Sequence, residues 1–303
     1  MKIAISGLGR MGSQIAKKLH EGGHTVIAHN RSSGLIDEMK DLHMLAAYTK
    51  EEVVNCFEGD QVIIWMMVPA EVVDKELDTW LAMVPKGSIL IDGGNSKYSD
   101  TEMRSKKVEE AGSFFVDVGT SGGIWGYQNG FSMMVGGHKY SFDKLVPVFH
   151  TLKMPAGAYH YFGESGRGHY IKMIHNAIEY GMMQSLAEGY QLLKEGPYKG
   201  IDLYEVGEVW QHHSVITSWL NELTRDFLKV NPNQEGVVGA VTESGEARGA
   251  LLVAIEFNIE TPAISSSFNV RLDSQKGKIN FATKLLSSMR NAFGGHKINE
   301  FSL

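Results

Sequence analysis

Four polar residues at helical spacing carry the first hint of chemistry in this chain. Lys172, His175, Asn176 and Glu179 recur three, four and seven residues apart, so on a helix they share one face. Around them run Ile171, Met173, Ile174, Ala177, Ile178, Met182, Met183 and Leu186. A helix that is apolar nearly all round is normally buried. A buried lysine or glutamate is costly unless something pairs with it. Two readings follow. Either the stripe is a structural ion-pair network inside a helical core, or its cost is borne because these residues do chemistry.

The segments upstream must position that helix. Lys2-Ile3-Ala4-Ile5-Ser6 has the length and composition of a buried strand. Gly7-Leu8-Gly9-Arg10-Met11-Gly12 follows it and matches G-x-G-x-x-G, and residues 13–21 then read as a helix with Ile15, Ala16 and Leu19 inward, stopped by Gly22-Gly23. Residues 24–29 are a second strand. The glycine pattern alone is weak, but between a strand and a helix at the start of a βαβ unit it predicts a dinucleotide-binding site, with the pyrophosphate at the helix N-terminus. An NAD-preferring site usually has Asp or Glu about 20 residues past the glycines. Here the strand ends Ala28-His29-Asn30-Arg31-Ser32-Ser33. Arg31 can pair with a 2′-phosphate, with Asn30 and Ser32 as neutral donors. NADP is therefore favoured; the alternative is NAD, with Arg31 stacked on its adenine or simply solvated.

Alternation continues, with helices expected over 37–42, 49–57 and 71–82 and strands over 61–66 and 88–91. This is a doubly wound α/β pattern, in which ligands lie beyond the carboxyl ends of the strands. The strand-end loops are Met67-Val68-Pro69-Ala70, where the backbone at Val68 can flank a ribose or nicotinamide; Asp92-Gly93-Gly94-Asn95-Ser96; and Gly119-Thr120-Ser121-Gly122-Gly123. Residues 125–130 read as a loop, 131–135 as a strand, 141–152 as a helix, and 155–161 carry the chain out. Gly163-Glu164-Ser165-Gly166-Arg167-Gly168 has the composition of a hinge. The expected division is a Rossmann-like dinucleotide-binding domain over 1–166 and an all-helical substrate-binding and dimerisation domain over 167–303. Helices are expected from 168 to about 194 and over 203–229, 249–258, 262–273 and 279–293. His212 and His213 fall within the second, where adjacent rings diverge. No His, Cys and acid set has metal-ligand spacing, so no metal is expected.

The 303 residues carry a net charge of −6 and one cysteine, Cys56. Neither nucleic acid nor an anionic membrane is drawn to such a balance, and no intrachain disulfide can form. The longest apolar run, Val62 to Val68, ends at Pro69 and is too short to span a bilayer. The default location is cytoplasmic. Glu246-Ala247-Arg248, Arg271, Arg290 and His296 lie near expected helix ends; singly each reads as a solvated charge, and together they could bind an anion.

The chain resembles the decarboxylating 6-phosphogluconate dehydrogenases over nearly its whole length. Residues 7–12, Asn30-Arg31-Ser32, 92–98, Ser121-Gly122-Gly123 and 168–181 carry the resemblance. Related 3-hydroxyacid dehydrogenases share the nucleotide fold, the Ser-Gly-Gly loop and a Lys-x-x-x-Asn helix, but generally lack the His-Asn-x-x-Glu-Tyr continuation found at 175–180. The resemblance implies that Lys172 is the general base and Glu179 the general acid. Asn95, Ser121, Gly122, Gly123, His175, Asn176 and Tyr180 become substrate contacts, and Arg271 holds the substrate phosphate. Arg248 stands where longer members have lysine. Arg290 and His296 match a tail that reaches a neighbouring subunit's site, so a homodimer or higher homo-oligomer is implied. This chain has the length of the short form, which leaves open whether those two act within their own subunit. Arg10 replaces a small or apolar residue of the longer enzymes and adds a charge near the cofactor phosphates.

The implied reaction oxidises 6-phosphogluconate at C3, releases carbon dioxide and yields ribulose 5-phosphate. The alternatives are a 3-hydroxyacid dehydrogenase that does not decarboxylate and an NADP-binding sensor without turnover. Spacing favours chemistry over a structural pair. Lys172 and Glu179 are about two turns and roughly 10 Å of rise apart, whereas direct helical ion pairs use three or four residues.

Overall fold

The computed structural model describes residues 1–298. The chain folds as two compact units, Met1–Lys172 and the segment from Met173 onward. The first holds eight strands: β1 (Lys2–Ser6), β2 (Thr25–His29), β3 (Leu45–Ala47), β4 (Ile63–Met66), β5 (Ile89–Asp92), β6 (Phe114–Ser121), β7 (Ser132–Gly137) and β8 (Tyr159–Tyr161). They form one sheet in the order β3-β2-β1-β4-β5-β6-β7-β8. Strands β1 to β6 are mutually parallel, β7 is antiparallel to β6, and β8 is parallel to β7. Ile3, Ala4, Ile5, Ile63, Ile64, Trp65, Met66, Ile89, Leu90 and Ile91 are all buried, as continuous apolar strands covered on both faces should be.

The covering helices are α1 (Arg10–Glu21), α2 (Ser33–Asp41), α3 (Lys50–Asn55), α4 (Val73–Leu81), α5 (Tyr98–Glu110), α6 (Gly126–Asn129) and α7 (Lys139–Lys153). Helix α1 buries Gly12, Ile15, Ala16 and Leu19, one stripe at helical period. The strand order reverses between β1 and β4. The two loops at that switch point are linked by the Met67 amide, which donates to the Ser6 carbonyl at 2.7 Å. Dinucleotides bind at this place in a doubly wound sheet.

Helix α8 (Arg167–Glu195) starts in the first unit and continues into the second. The second unit adds α9 (Leu203–Gln211), α10 (Trp219–Val230), α11 (Glu246–Glu256), α12 (Pro262–Gln275) and α13 (Phe281–Gly294). Its core includes Met183, Ala187, Tyr190, Leu220, Leu228, Val241, Leu285, Leu286 and Met289. The fold is thus the expected α/β class, a Rossmann-type region followed by helices. Among the described residues no helix is long and apolar enough to cross a membrane.

Several local expectations differ. The helix expected over 203–229 is two helices. Ser218 caps α10 by accepting from the Asn221 amide, while the Ser214 hydroxyl donates to the Trp210 carbonyl. Such side chains compete with the helical ladder. His213 has a left-handed φ of 59° and His212 ends α9, so neither ring sits inside a helix, and Val215 is fully exposed rather than on an apolar face. Residues 45–47 and 159–161 form edge strands, too short to show a period. Residues 98–110, which carry no strong apolar stripe, form α5. The stretch at 125–130 is partly helical, as α6. Helix α8 is also less enclosed than its composition suggested: Ile178 is 51 % and Met182 46 % exposed in the single chain.

Candidate active site

Each glycine of the first loop has a distinct physical reason. A Cβ on Gly7 would meet the Met67 carbonyl oxygen at 2.4 Å, and one on Gly12 would meet the Gly7 carbonyl oxygen at 1.9 Å. These glycines let β1, β4 and α1 pack. Gly9 is different. No chain atom lies within 4 Å of where its Cβ would stand, and its φ of −65° suits any residue. The chain's own packing makes no demand for glycine there. The opening lies before the N-terminus of α1, where the N-cap residue Gly9 supplies no capping side chain, and a pyrophosphate fits it.

The end of β2 is tied to this loop. The Leu8 amide donates to Asn30 Oδ1 at 3.0 Å, and Asn30 Nδ2 donates to Ser32 Oγ at 2.9 Å. Asn30 therefore shapes the pocket rim, and its amide group is already engaged. Arg31, Ser32 and Arg10 are exposed beside it. Met11 is half-buried against the sheet core.

Farther along the sheet, Val68 is half-buried and Asn95 exposed. Ser121 ends β6, and Gly122 and Gly123 turn the chain with φ of 136° and 53°. The same strand anchors α8. Asp117, fully buried in β6, accepts from the Gly166 amide through Oδ1 and from the His169 amide through Oδ2, both at 2.9 Å. It caps the helix from another element, satisfying amides that the helix cannot pair itself. His169 Nδ1 lies 2.7 Å from Thr101 Oγ1 on α5. A Cβ on Gly168 would be 2.5 Å from the Met134 carbonyl oxygen, and one on Gly119 would be 2.4 Å from Lys172 Cβ. These close approaches seat Lys172, which is 8 % exposed, against β6.

His175, Asn176 and Glu179 follow on the same helix, each half-buried. His175 Nδ1 lies 3.0 Å from Asn176 Oδ1 and 4.0 Å from Glu179 Oε2. Next comes Tyr180, whose ring underlies Arg271: the guanidinium carbon is 3.2 Å from the ring centre. The Tyr180 hydroxyl accepts from the Ser244 amide at 3.1 Å. Arg271 is 2 % and Arg290 8 % exposed. Among the described residues no carboxylate lies within salt-bridge distance of either. Burial pushes Arg271 down to about 10, opposed by the charges of Tyr180 and Glu179 and deepened by Arg290. Burial also lowers Arg290, opposed by Tyr180, Glu179 and Glu246. Its Nη1 donates to Thr242 Oγ1 at 3.0 Å. Two buried guanidiniums without a paired carboxylate form a site suited to an anion with several oxygens.

The family models match in the same two parts. Residues 2–161 match the NAD binding domain of 6-phosphogluconate dehydrogenase, and residues 168–278 match its C-terminal domain. The chain belongs to the 6-phosphogluconate dehydrogenase family. It is 34 % identical over 301 residues to an NAD-dependent, decarboxylating 6-phosphogluconate dehydrogenase of Haloferax volcanii, covering 98 % of each chain. Its fold is similar to that of Plasmodium falciparum 6-phosphogluconate dehydrogenase, with TM-score 0.81, 24 % identity and coverage of 97 % of this chain and 70 % of that one. A Mycobacterium tuberculosis 3-hydroxyisobutyrate dehydrogenase is similar with TM-score 0.71 and 20 % identity, covering 94 % and 98 %. The chain is accordingly an NAD(P)-binding oxidoreductase of this family.

Not every residue singled out from the family pattern converges. Glu179 and Tyr180 lie close enough to Arg271 and Arg290 in one chain to oppose the lowering that burial imposes on both guanidiniums. Arg248 is engaged elsewhere: its Nε and Nη2 donate to Glu243 Oε1 at 3.0 and 2.9 Å, and it lies over the Phe268 ring. His296 lies beyond the end of α13, its carbonyl accepting from Asn291 Nδ2 at 2.7 Å. Sequence reading missed Asp117, Thr101 and His169. A lone aspartate inside the apolar run Phe114–Val118 was the available signal, since a buried carboxylate must find donors.

Proposed function

We propose that this chain oxidatively decarboxylates 6-phosphogluconate to ribulose 5-phosphate and carbon dioxide, with NADP favoured over NAD. The observation that carries the reading is the buried pair Arg271 and Arg290 beside Tyr180, at the end of a stripe that begins with Lys172 and includes Glu179. Hydroxyacids without a phosphate would leave those charges uncompensated, and a buried uncompensated charge is costly.

Gly7 to Gly12 would hold the pyrophosphate, Asn30 the rim of the adenosine site, and Arg31 with Ser32 the 2′-phosphate. Val68 and Asn95 would flank the nicotinamide half. NADP, when bound, supplies the hydride acceptor for C3 of the sugar acid. Neutral Lys172 takes the C3 hydroxyl proton as the hydride leaves. The ammonium so formed donates to the new C3 carbonyl and draws electrons from the breaking C1–C2 bond. Carbon dioxide departs from C1, and the electron pair remains on C2 as an enediol. Glu179 then delivers a proton to that carbon, which becomes C1 of the pentulose. Asn176 and His175 hold the hydroxyls, and Ser121, Gly122, Gly123 and Asn95 hold the carboxylate end. Arg271 and Arg290 fix the phosphate, so that remote binding keeps the reacting carbons in place.

Lys172 and Glu179 are about two turns apart along α8, a spacing that supports their acting on different carbons of one substrate. A homodimer is part of the proposal; Ile178, Met182 and Leu192 are apolar residues that α8 exposes in the single chain. The test is initial-rate kinetics on 6-phosphogluconate with NADP and with NAD, with carbon dioxide followed. Stoichiometric carbon dioxide and reduced cofactor support the reading. Reduced cofactor without carbon dioxide would identify a hydroxyacid dehydrogenase that stops at the keto acid.

A further inference from the structure

Arg104 is 4 % exposed and lies on α5. Its guanidinium faces back toward the sheet and spans two strand-end loops. On one side Nε donates to Asp74 Oδ1 at 2.7 Å and Nη2 to Asp74 Oδ2 at 3.1 Å, a two-pronged pair at the start of α4. Nη2 also reaches the Ala70 carbonyl at 3.3 Å. These contacts hold the segment that follows β4 and contains Val68. On the other side Nη1 donates to Ser96 Oγ at 2.9 Å and lies 3.6 Å from Asp92 Oδ2. The Ser96 hydroxyl donates in turn to Asp92 Oδ2 at 2.7 Å, and the Gly94 amide donates to Asp92 Oδ1 at 3.1 Å. The two loops also touch directly, since a Cβ on Gly94 would meet the Val68 carbonyl oxygen at 2.9 Å.

Asn95 is exposed on this framework, between the tethered Gly94 and the buried Ser96. A planar guanidinium with five donors can fix two loops at once, whereas a lysine's point charge cannot keep both sets of bonds. We propose that Arg104 is a positioning residue that sets the spacing of the Val68 and Asn95 loops, and with it the pocket for the nicotinamide half of the cofactor. The inference deepens the reading above and rests on its assignment of Val68 and Asn95 to that half. The adenine half is built from Gly7–Gly12 and Asn30–Ser32, to which Arg104 makes no bond.

The test compares two ligands on Arg104→Lys, Arg104→Gln and Asp74→Ala. Calorimetry measures NADP and adenosine 2′,5′-bisphosphate, which carries only the adenine half. The expected result is weakened NADP binding, unchanged bisphosphate binding, and kcat on 6-phosphogluconate down by up to about 10²-fold, the cost of a small misplacement far from the reacting atoms. Asp74→Ala should show the same split in milder form; its carboxylate is 69 % exposed, so that variant keeps the comparison available if the Arg104 variants fail to fold. Equal losses for both ligands, or no loss for either, would overturn the proposal. If the wild type binds NADP but does not turn over 6-phosphogluconate, the substrate reading fails, and the binding split still judges Arg104.

Discussion

The Arg271 guanidinium stacks on the face of Tyr180, and its Nη2 lies 3.5 Å from Met183 Sδ. A ring face and a thioether are weak partners for a buried charge. In the proposed reading this guanidinium meets the substrate phosphate. Arg271→Met should raise KM for 6-phosphogluconate about 10- to 100-fold, taking about 1.5–3 kcal/mol for a charged hydrogen-bonded contact. It should change kcat less. Thermal stability should hold or rise, because replacing a poorly compensated buried charge by an apolar side chain is often neutral or better. Inorganic phosphate should raise the Tm of the wild type and leave the variant unmoved. A lower Tm with unchanged KM would instead assign Arg271 to core packing.

Lys172 and Glu179 are predicted to separate in their kinetic effects. Lys172→Ala should lose about 10²- to 10⁴-fold in kcat, the usual range for a general acid–base group, with NADP affinity retained. Glu179→Ala should slow enediol protonation more than hydride transfer. Rapid mixing should then show an early burst of NADPH followed by slow turnover. Full activity of the Lys172 variant would end the proposed mechanism.

Arg31 is exposed at the end of β2 beside the engaged Asn30. Arg31→Asp should weaken NADP use more than NAD use, because the carboxylate repels a 2′-phosphate and can accept from a 2′-hydroxyl. Steady-state kinetics with both cofactors measures the ratio; equal losses would remove Arg31 from cofactor selection.

Asp117 caps α8 with both carboxylate oxygens. Asp117→Asn places an NH₂ where one amide needs an acceptor. Unfolding should become easier by about 1–3 kcal/mol, the cost of an unsatisfied buried donor. The kcat should fall as well, since Lys172 follows in the second turn. Denaturant titration and kinetics at a temperature where the variant is fully folded separate the two effects.

The Arg104 hydrogen bonds hold the Asp74 carboxyl below its ordinary 3.8. A depressed carboxylate adds stability above its unfolded pKa and loses it as pH falls through the folded value. The Tm difference between wild type and Asp74→Ala should therefore be constant near neutrality and close progressively below pH 3.8. A gap that stays constant into strong acid would show that the pair adds no stability.

Much of this molecule was legible from local pattern. A strand, a glycine turn and a helix within the first 21 residues define the dinucleotide cradle, because backbone period and turn chemistry act over a few residues. The stripe from Lys172 to Glu179 was equally plain, since helical geometry fixes which side chains share a face. The short edge strands β3 and β8 were not legible, because three residues carry no period and pairing alone makes them strands. The break between α9 and α10 was hidden for a related reason: Ser214 and Ser218 decide it by bonding backbone groups that a helix would otherwise use.

What the sequence by itself determined was the class of fold and the residue types available for chemistry. Only the tertiary structure decided which polar residues meet. Asp117 and His169 are 52 positions apart and share a hydrogen bond; Tyr180 and Arg271 come from α8 and α12 and lie face to face. Arg248 has the right type and place in the chain, yet is spent on Glu243. A buried polar group must be satisfied by whatever the packed chain brings near it, and that choice belongs to the whole fold rather than to any stretch of sequence.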